Sequence, residues 1–479
     1  MVESESGRER QPTFARVAVA ITVMAVASIG WPGAAASAPN SAERVSPGSP
    51  FGSVVAYPQL AVDHRGDVTA VWQQSLGSGP TVIEASQRSA GGRHWTSAQQ
   101  ISSSGQLQDG QPADGGFPAI AESARGAAVV VWEDNGEIAA AQRTQAFGAW
   151  SRPTRISPPA VDPEPPRVVL ISAESALAIW TGQMASGNSV VQIASLDLAT
   201  GRWTTPTTIE TSRVLLTGAG LAASTTGRVV AVWKRAIGGS VLGSGVGRSE
   251  VLAAVGSSSS RLWHRITRLG QETDLSAQID ASTEASQPQV GVGRNGAAVV
   301  VWQAGAATDV RIAVATLGAR SREWRRERPL GGSGALYPVL GVGVTATTVA
   351  WQSSTGAIWT CSRPTVETAW LPVRRMTSGS SSASGPVIAT GADGATVVAW
   401  TQKDGTVRAV GHAAGSTNTW PPVTTVARGG AAMPAVVVSE DRSADVVWVH
   451  SARPVGPHGS LASMAIEQGT VAVPVCLGR

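Results

Sequence analysis

PQLAVDHRGDVTAVW, residues 58–72, and PQVGVGRNGAAVVVW, residues 288–302, follow one pattern. Each has a proline, a short apolar run, a glycine turn, and an apolar, β-branched run that ends in tryptophan. Read outward from these two stretches, the pattern recurs eight times, ending at Trp72, Trp132, Trp180, Trp233, Trp302, Trp351, Trp400 and Trp448. In six repeats a proline lies fourteen residues upstream: Pro58, Pro118, Pro166, Pro288, Pro386 and Pro434. The sixth repeat is one residue shorter, from Pro338, and the fourth has Ala219 in the proline place. Glycine stands eight residues after the first position at Gly66, Gly126, Gly227, Gly296 and Gly394. Repetition at about fifty residues points to a stacked or ring architecture.

A second tryptophan follows in seven of the eight repeats: Trp95, Trp150, Trp203, Trp263, Trp324, Trp370 and Trp420. Six residues after each comes an apolar side chain: Ile101, Ile156, Ile209, Leu269, Leu330, Met376 and Val426. Of the 17 tryptophans only Trp31 and Trp359 fall outside these two places. Aromatics used this regularly fill the space between repeated units, so the fifteen are read as interblade core rather than as sugar-stacking platforms.

In the first repeat Gln59–Val62 reads as strand A, Val68–Trp72 as B, Thr81–Gln87 as C and Trp95–Ile101 as D, separated by turn residues. Runs such as Ala127–Trp132, Ala297–Trp302 and Ala395–Trp400 are apolar on both faces, as in sheets stacked on sheets. No stretch after residue 38 has helical periodicity. These features predict an all-β chain forming an eight-bladed β-propeller of four-stranded blades, a ring that protects its strand edges by closing. Seven blades plus an appendage is the rival geometry.

The last repeat has a C strand over Ser460–Ile466 but lacks the second tryptophan. Strand D elsewhere ends in an apolar-Ser pair, Ile101-Ser102 and Ile156-Ser157, and Val45-Ser46 repeats that pair ahead of the first strand A. Residues 41–46 are therefore expected to supply the missing outer strand and so join the two ends of the chain, with Thr470–Cys476 as the rival source.

The predicted organisation is 1–38 signal peptide, 39–57 N-terminal closing segment and 58–479 propeller repeats. Arg8, Arg10 and Arg16 precede an apolar stretch over Val17–Gly30, and small residues follow with Ala-x-Ala sites ending at Ala36 or Ala38. That arrangement predicts export to the cell surface or beyond, with an uncleaved anchor as the alternative and no membrane span after signal removal. The 479 residues are 42% hydrophobic and 15% charged with net charge +4, an ordered globular composition. The basic residues show neither a recognition module nor a stripe, so no nucleic-acid partner is expected. Arg325, Arg326 and Arg328, the densest run, read as a solvated strand edge. Cys361 and Cys476 belong to distant repeats and are read as separate thiols. No zinc-type spacing is present, and neither a metal nor a cofactor is expected.

The second tryptophan, placed after the turn between strands C and D, resembles the Asp-box repeat of sialidase-like propellers, Ser-x-Asp-x-Gly-x-x-Trp. Gly92 matches the glycine, while Arg88 and Ala90 stand in the Ser and Asp places. One hairpin, from Ser195 through Asp197, Thr200 and Gly201 to Trp203, resembles the quinoprotein-type motif instead, with Ser195 for its alanine. The resemblance implies a propeller. A sialidase mechanism would add a tyrosine nucleophile, an acid/base carboxylate and an arginine triad. The two tyrosines, Tyr57 and Tyr337, share one repeat position just before the strand-A proline, which makes them structural. The six histidines are dispersed, and Arg65-Gly66-Asp67 falls where a turn needs Gly and Asp. No catalytic residue is therefore assigned.

The residues after each first tryptophan face one mouth of the ring. Gln73, Glu133, Asp134, Lys234, Arg235, Gln303 and Gln352 are the candidates there for holding a polar ligand. The long D–A loops carry Asp109, Asp114, Glu272 and Asp274. The sequence thus predicts a monomeric, non-enzymatic binding or scaffold protein for a polysaccharide or protein partner, with a sialidase-like glycoside hydrolase as the alternative.

Overall fold

In the computed structural model the chain divides into two units, Met1–Ala38 and Pro39–Arg479. The structure describes residues 43–46, 54–75, 80–103, 115–158, 161–237, 247–257, 263, 265–274, 287–306, 309–366, 368–379, 382–413, 420–440, 443–451 and 464–472. The expected signal peptide lies outside them.

The described residues form eight antiparallel sheets, one per repeat. The first blade, in order from the axis outward, is Val54–Val62, Val68–Ser75, Thr81–Arg88 and Gln99–Gln100. Seven blades have four strands in simple sequence order or, in the last, with one strand supplied from the other end of the chain. The third keeps the plan with its first and last strands each broken in two, Val161–Pro163 with Arg167–Ser172 and Arg202–Trp203 with Thr207–Ser212. Pro165 and Pro166 make the first break, because neither has an N–H for the ladder. The first strand of every blade touches the first strand of both neighbours, and the contacts run round from Val54–Val62 through Ala431–Val438 and back. The protein is an eight-bladed β-propeller.

Closure follows the apolar-Ser pattern. Glu43 and Arg44 pair antiparallel with Gln468 and Glu467, making the outer strand of the last blade. Val45 N–H donates to Ile466 O at 2.8 Å, and Ile466 N–H donates to Ser46 Oγ at 2.8 Å. Ser102 and Ser157 accept from Ile83 N at 2.9 Å and Ile138 N at 2.8 Å in the same way. The third strand of the last blade is Met464–Ala472, not Ser460–Ile466. Its ladder with Ser443–Ser451 takes up Thr470, which removes the rival closing strand.

The fixed spacing from proline to tryptophan has a geometric cause. Ala56 pairs with Gln73 and Gln59 with Val71, so Tyr57 and Pro58 together face Trp72 alone. This two-against-one β-bulge recurs opposite Trp132, Trp233, Trp351, Trp400 and Trp448. Its first residue is left-handed each time: Tyr57, Phe117, Gly218, Tyr337, Gly385 and Met433 have φ between 49° and 64°. Proline follows in five of these and Ala219 in the fourth blade. A bulge tolerates proline because the extra residue is not needed in the ladder. The proline is thus in mid-strand, and strand A begins earlier than Gln59, at Val54. The sixth repeat is one residue short because its turn from Val342 to Thr347 holds four residues, against five between Val62 and Val68.

The first tryptophans lie between neighbouring sheets, all at 3% exposure or less. Trp180, for example, packs with Val129, Val131 and Ala140 of the second blade and Ala178 of its own. The second tryptophans are shallower and cover the outer end of strand C. Three of them sit over arginines at the end of that strand: Arg88 under Trp95, Arg143 under Trp150 and Arg363 under Trp370, with 5.7, 5.0 and 4.1 Å from guanidinium carbon to ring centroid. Each arginine reaches the previous blade, Arg88 to Asp445 Oδ2 at 2.6 Å, Arg143 to Thr69 Oγ1 at 2.6 Å and Arg363 to Glu327 Oε1 at 3.0 Å. Among the described residues no helix is long and apolar enough to cross a membrane.

Candidate functional site

Antiparallel blades place the B–C and D–A connections at one end of the ring and the A–B and C–D turns at the other. The candidate mouth is the first of these ends, and the bulges lie near it. In the bulge a left-handed φ turns the side chain out of the alternation of the strand. Tyr57 and Phe117, from neighbouring blades, meet with ring centroids 4.7 Å apart at a 48° tilt. Met433 is 48% exposed. Holding a residue other than glycine left-handed costs about 1–2 kcal/mol, so something must stabilise it.

Part of that support comes from residues the sequence placed at the mouth. Gln73 Oε1 accepts from Phe117 N at 3.2 Å, and Gln303 Oε1 accepts from Tyr337 N at 2.7 Å. A glutamine after the first tryptophan of one blade thereby caps the bulge of the next. In the third blade the equivalent residue, Thr181, is too short. Its hydroxyl donates to Glu164 Oε2 at 2.9 Å, and that same oxygen accepts from Gly218 N at 2.8 Å. Glu164 therefore does the capping there, a role invisible without the fold because it sits outside the repeat position.

The other candidates are placed as follows. Glu133 is half-buried and paired across the ladder with Gly116. Asp134 is buried and accepts from Asn135 Nδ2 at 2.9 Å. Successive strand residues face opposite ways, so these two acids do not converge. The B–C connection after them is only Asn135-Gly136, both left-handed at φ 56° and 76°, a two-residue hairpin turn rather than a loop. Lys234 is buried beside the Gly218 bulge, where a Cβ on that glycine would stand 3.2 Å from Lys234 Cε. Arg235 is held between two acids, Glu210 Oε1 at 2.8 Å and Glu250 Oε2 at 2.6 Å. Gln352 is half-buried opposite Leu336. Asp109 and Asp114 lie outside the described residues, and positions 272 and 274 fall in the outer strand Thr267–Asp274.

Burial raises the Tyr337 phenol, which keeps its proton at neutral pH. Burial also pushes the Cys361 thiol up to about 11, and its Sγ donates to Leu371 O at 3.1 Å. Cys476 lies outside the described residues. The Arg65-Gly66-Asp67 turn is bound up locally: Asp63 Oδ1 accepts from Arg65 N at 2.8 Å and Asp67 N at 2.9 Å, while Asp67 Oδ1 accepts from Ala90 N at 2.8 Å. Among the described residues no group of three His, Cys, Asp or Glu side chains could hold a metal ion.

No family model and no curated protein matches the chain. Solved structures similar to it include the Hadza microbial sialidase Hz136, at 10% identity over 86% of this chain and 65% of that one, TM-score 0.34. The NanB sialidase from Streptococcus pneumoniae is similar at 10% identity over 91% of this chain and 71% of that one, TM-score 0.37. The α-L-arabinofuranosidase Arb93A from Fusarium graminearum is similar at 9% identity over 76% of this chain and 95% of that one, TM-score 0.40.

Proposed function

We propose that the protein is exported and acts at the cell envelope as a non-enzymatic propeller that binds a polysaccharide or protein partner at the bulge-lined mouth. The observation that carries this reading is the recurrence of left-handed, non-glycine bulges at Tyr57, Phe117, Tyr337 and Met433. A strained backbone position persists where the surrounding structure over-determines it, and such positions cluster at ligand clamps. Aromatic side chains held rigid lose little entropy on binding and offer flat faces for sugar rings or apolar side chains. Gln73 and Gln303 over-determine two of these bulges, Phe117 and Tyr337, while Glu133, Lys234, Arg235 and Gln352 add polar groups on the same strands. Catalysis is not part of the proposal: Tyr57 packs on Phe117, the Tyr337 phenol is raised by burial, and the neighbouring acids Glu133 and Asp134 diverge.

The test is a panel of neutral and acidic envelope polysaccharides presented to the purified protein and to its Tyr57→Ala and Met433→Ala variants. Met433 is exposed, so its replacement leaves the fold intact. Binding of a neutral glycan that weakens about tenfold or more in either variant supports the mouth; about 1.4 kcal/mol corresponds to that factor. Binding unchanged in both variants overturns it. Release of free sugar by the wild type would favour the glycoside hydrolase alternative.

A further inference from the structure

The opposite end of the ring carries a second feature, independent of the mouth. Between the fourth and fifth blades, on the face of the A–B turns and C–D hairpins, lies an open groove of about 1070 Å³. Ligand clefts run to roughly 300–1,000 Å³, so it has room for several sugar rings. Its lining includes Arg228, Arg265, Arg268, Arg322, Glu323 and Trp324.

The charge there is not cancelled. Arg265 and Arg322 are exposed and make no ion pair with any described residue. Arg268 pairs with Glu250 at 3.0 Å in a network with Arg235 and Glu210 that balances two cations with two acids, so the net positive charge of the groove comes from the other arginines. The Arg228 guanidinium is pinned by backbone carbonyls, those of Gly296 at 2.9 Å and Gly318 at 3.0 Å from Nη1 and that of Ser321 at 3.4 Å from Nη2. Carbonyls orient a guanidinium without neutralising it, and burial among them lowers its affinity for its proton. Along the outer strand Trp324–Arg326 the exposed Arg326 lies on the same face as the groove-lining Trp324 and extends the patch. Glu327, the acid that follows this strand, is already engaged by Arg363 Nη1 at 3.0 Å and by Trp370 Nε1 at 2.7 Å. Glu323 is left as the acid lining the groove. The indole of Trp324 lines the groove together with the guanidiniums.

We propose that this groove binds a carboxylate-bearing polysaccharide chain. Guanidinium forks match carboxylates in a bidentate manner, and an indole face suits a pyranose ring between the charged groups. Successive carboxylates along an acidic polymer would meet Arg265, Arg322 and Arg326 in turn. A single small anion would leave most of the groove unused.

The experiment titrates the purified protein with polygalacturonate and with neutral dextran, following tryptophan fluorescence and heat, at low and at physiological salt. The paired variant is Arg265→Glu with Arg322→Glu, both exposed and free of structural bonds among the described residues. Polygalacturonate should bind, weaken as salt rises, and bind at least tenfold more weakly to the charge-reversed variant, while Tyr57→Ala and Met433→Ala bind it as the wild type does. Dextran should not bind this site. Failure of polygalacturonate to bind, or equal binding by the charge-reversed variant, overturns the proposal. So does equal affinity for single-stranded DNA or for phosphatidylserine vesicles, which would mark the patch as a general polycation. A mouth variant that abolishes polygalacturonate binding would instead move the acidic chain to the mouth.

Discussion

A single glutamine shows how this propeller spends its polar side chains. The Gln303 amide oxygen satisfies the N–H of Tyr337, a residue held at φ 53° in the next blade. Replacing Gln303 by Ala leaves that N–H without its partner next to the buried Trp351, and the loss of such a bond costs about 1–3 kcal/mol. We expect Gln303→Ala to lower the denaturant midpoint accordingly and Gln303→Glu, which keeps an acceptor, to lower it less. Equal losses in both would show that the oxygen is not the stabilising group. From sequence, Gln73 and Gln303 were legible as polar residues at the mouth, but their capping role was not. The repeat alignment puts them after tryptophan, while their partners lie in the following blade, and only the ring brings the two together. The two tyrosines were legible as equivalent in the repeat; their left-handed backbone was not, because bulky side chains rarely adopt it.

At the scale of elements, the blades are joined by long polar arms as well as by apolar cores. Arg143 crosses from the second blade to Thr69 of the first while paired with Glu122, whose side chain is 0% exposed. Burial outweighs the neighbouring Arg143 and raises the Glu122 carboxyl to about 7, against an ordinary value near 4.5. The folded protein therefore holds a proton there that the unfolded chain releases between pH 4.5 and 7. The stability this proton contributes is fully present below pH 4.5 and is lost as pH rises through about 7. Chemical denaturation between pH 4 and 8 should reveal this slope, and Glu122→Gln, uncharged throughout, should flatten it. An unchanged slope in the variant would assign the dependence to other groups. The strand pattern itself was readable because alternation, glycine turns and tryptophan spacing repeat in every blade. The boundaries were not: strand A begins before its proline, since a bulge rather than a strand start accommodates it, and the B–C loop of the second blade shrinks to Asn135-Gly136. Arg88, Arg143 and Arg363 were missed, although each precedes its second tryptophan by seven residues, a spacing that registers once the C–D hairpin is known.

At the largest scale the propeller unit, Pro39–Arg479, is a ring whose first and last described strands share one sheet, and that closure was legible in a two-residue signal, Val45-Ser46. The mouth, the interblade arginines and the groove between the fourth and fifth blades all presuppose the closed eight-bladed ring. Its most direct test is a cross-link at the seam, where Glu43 stands opposite Gln468 and Arg44 opposite Glu467. A protein carrying Arg44→Cys and Glu467→Cys should form a disulfide between those positions under mild oxidation and unfold at a higher temperature than its reduced form, by about 2–4 kcal/mol of added stability. If the two cysteines remain reduced in the folded protein, or if the disulfide forms only with loss of the folded state, the first and last strands of the ring do not meet and the closed ring is wrong.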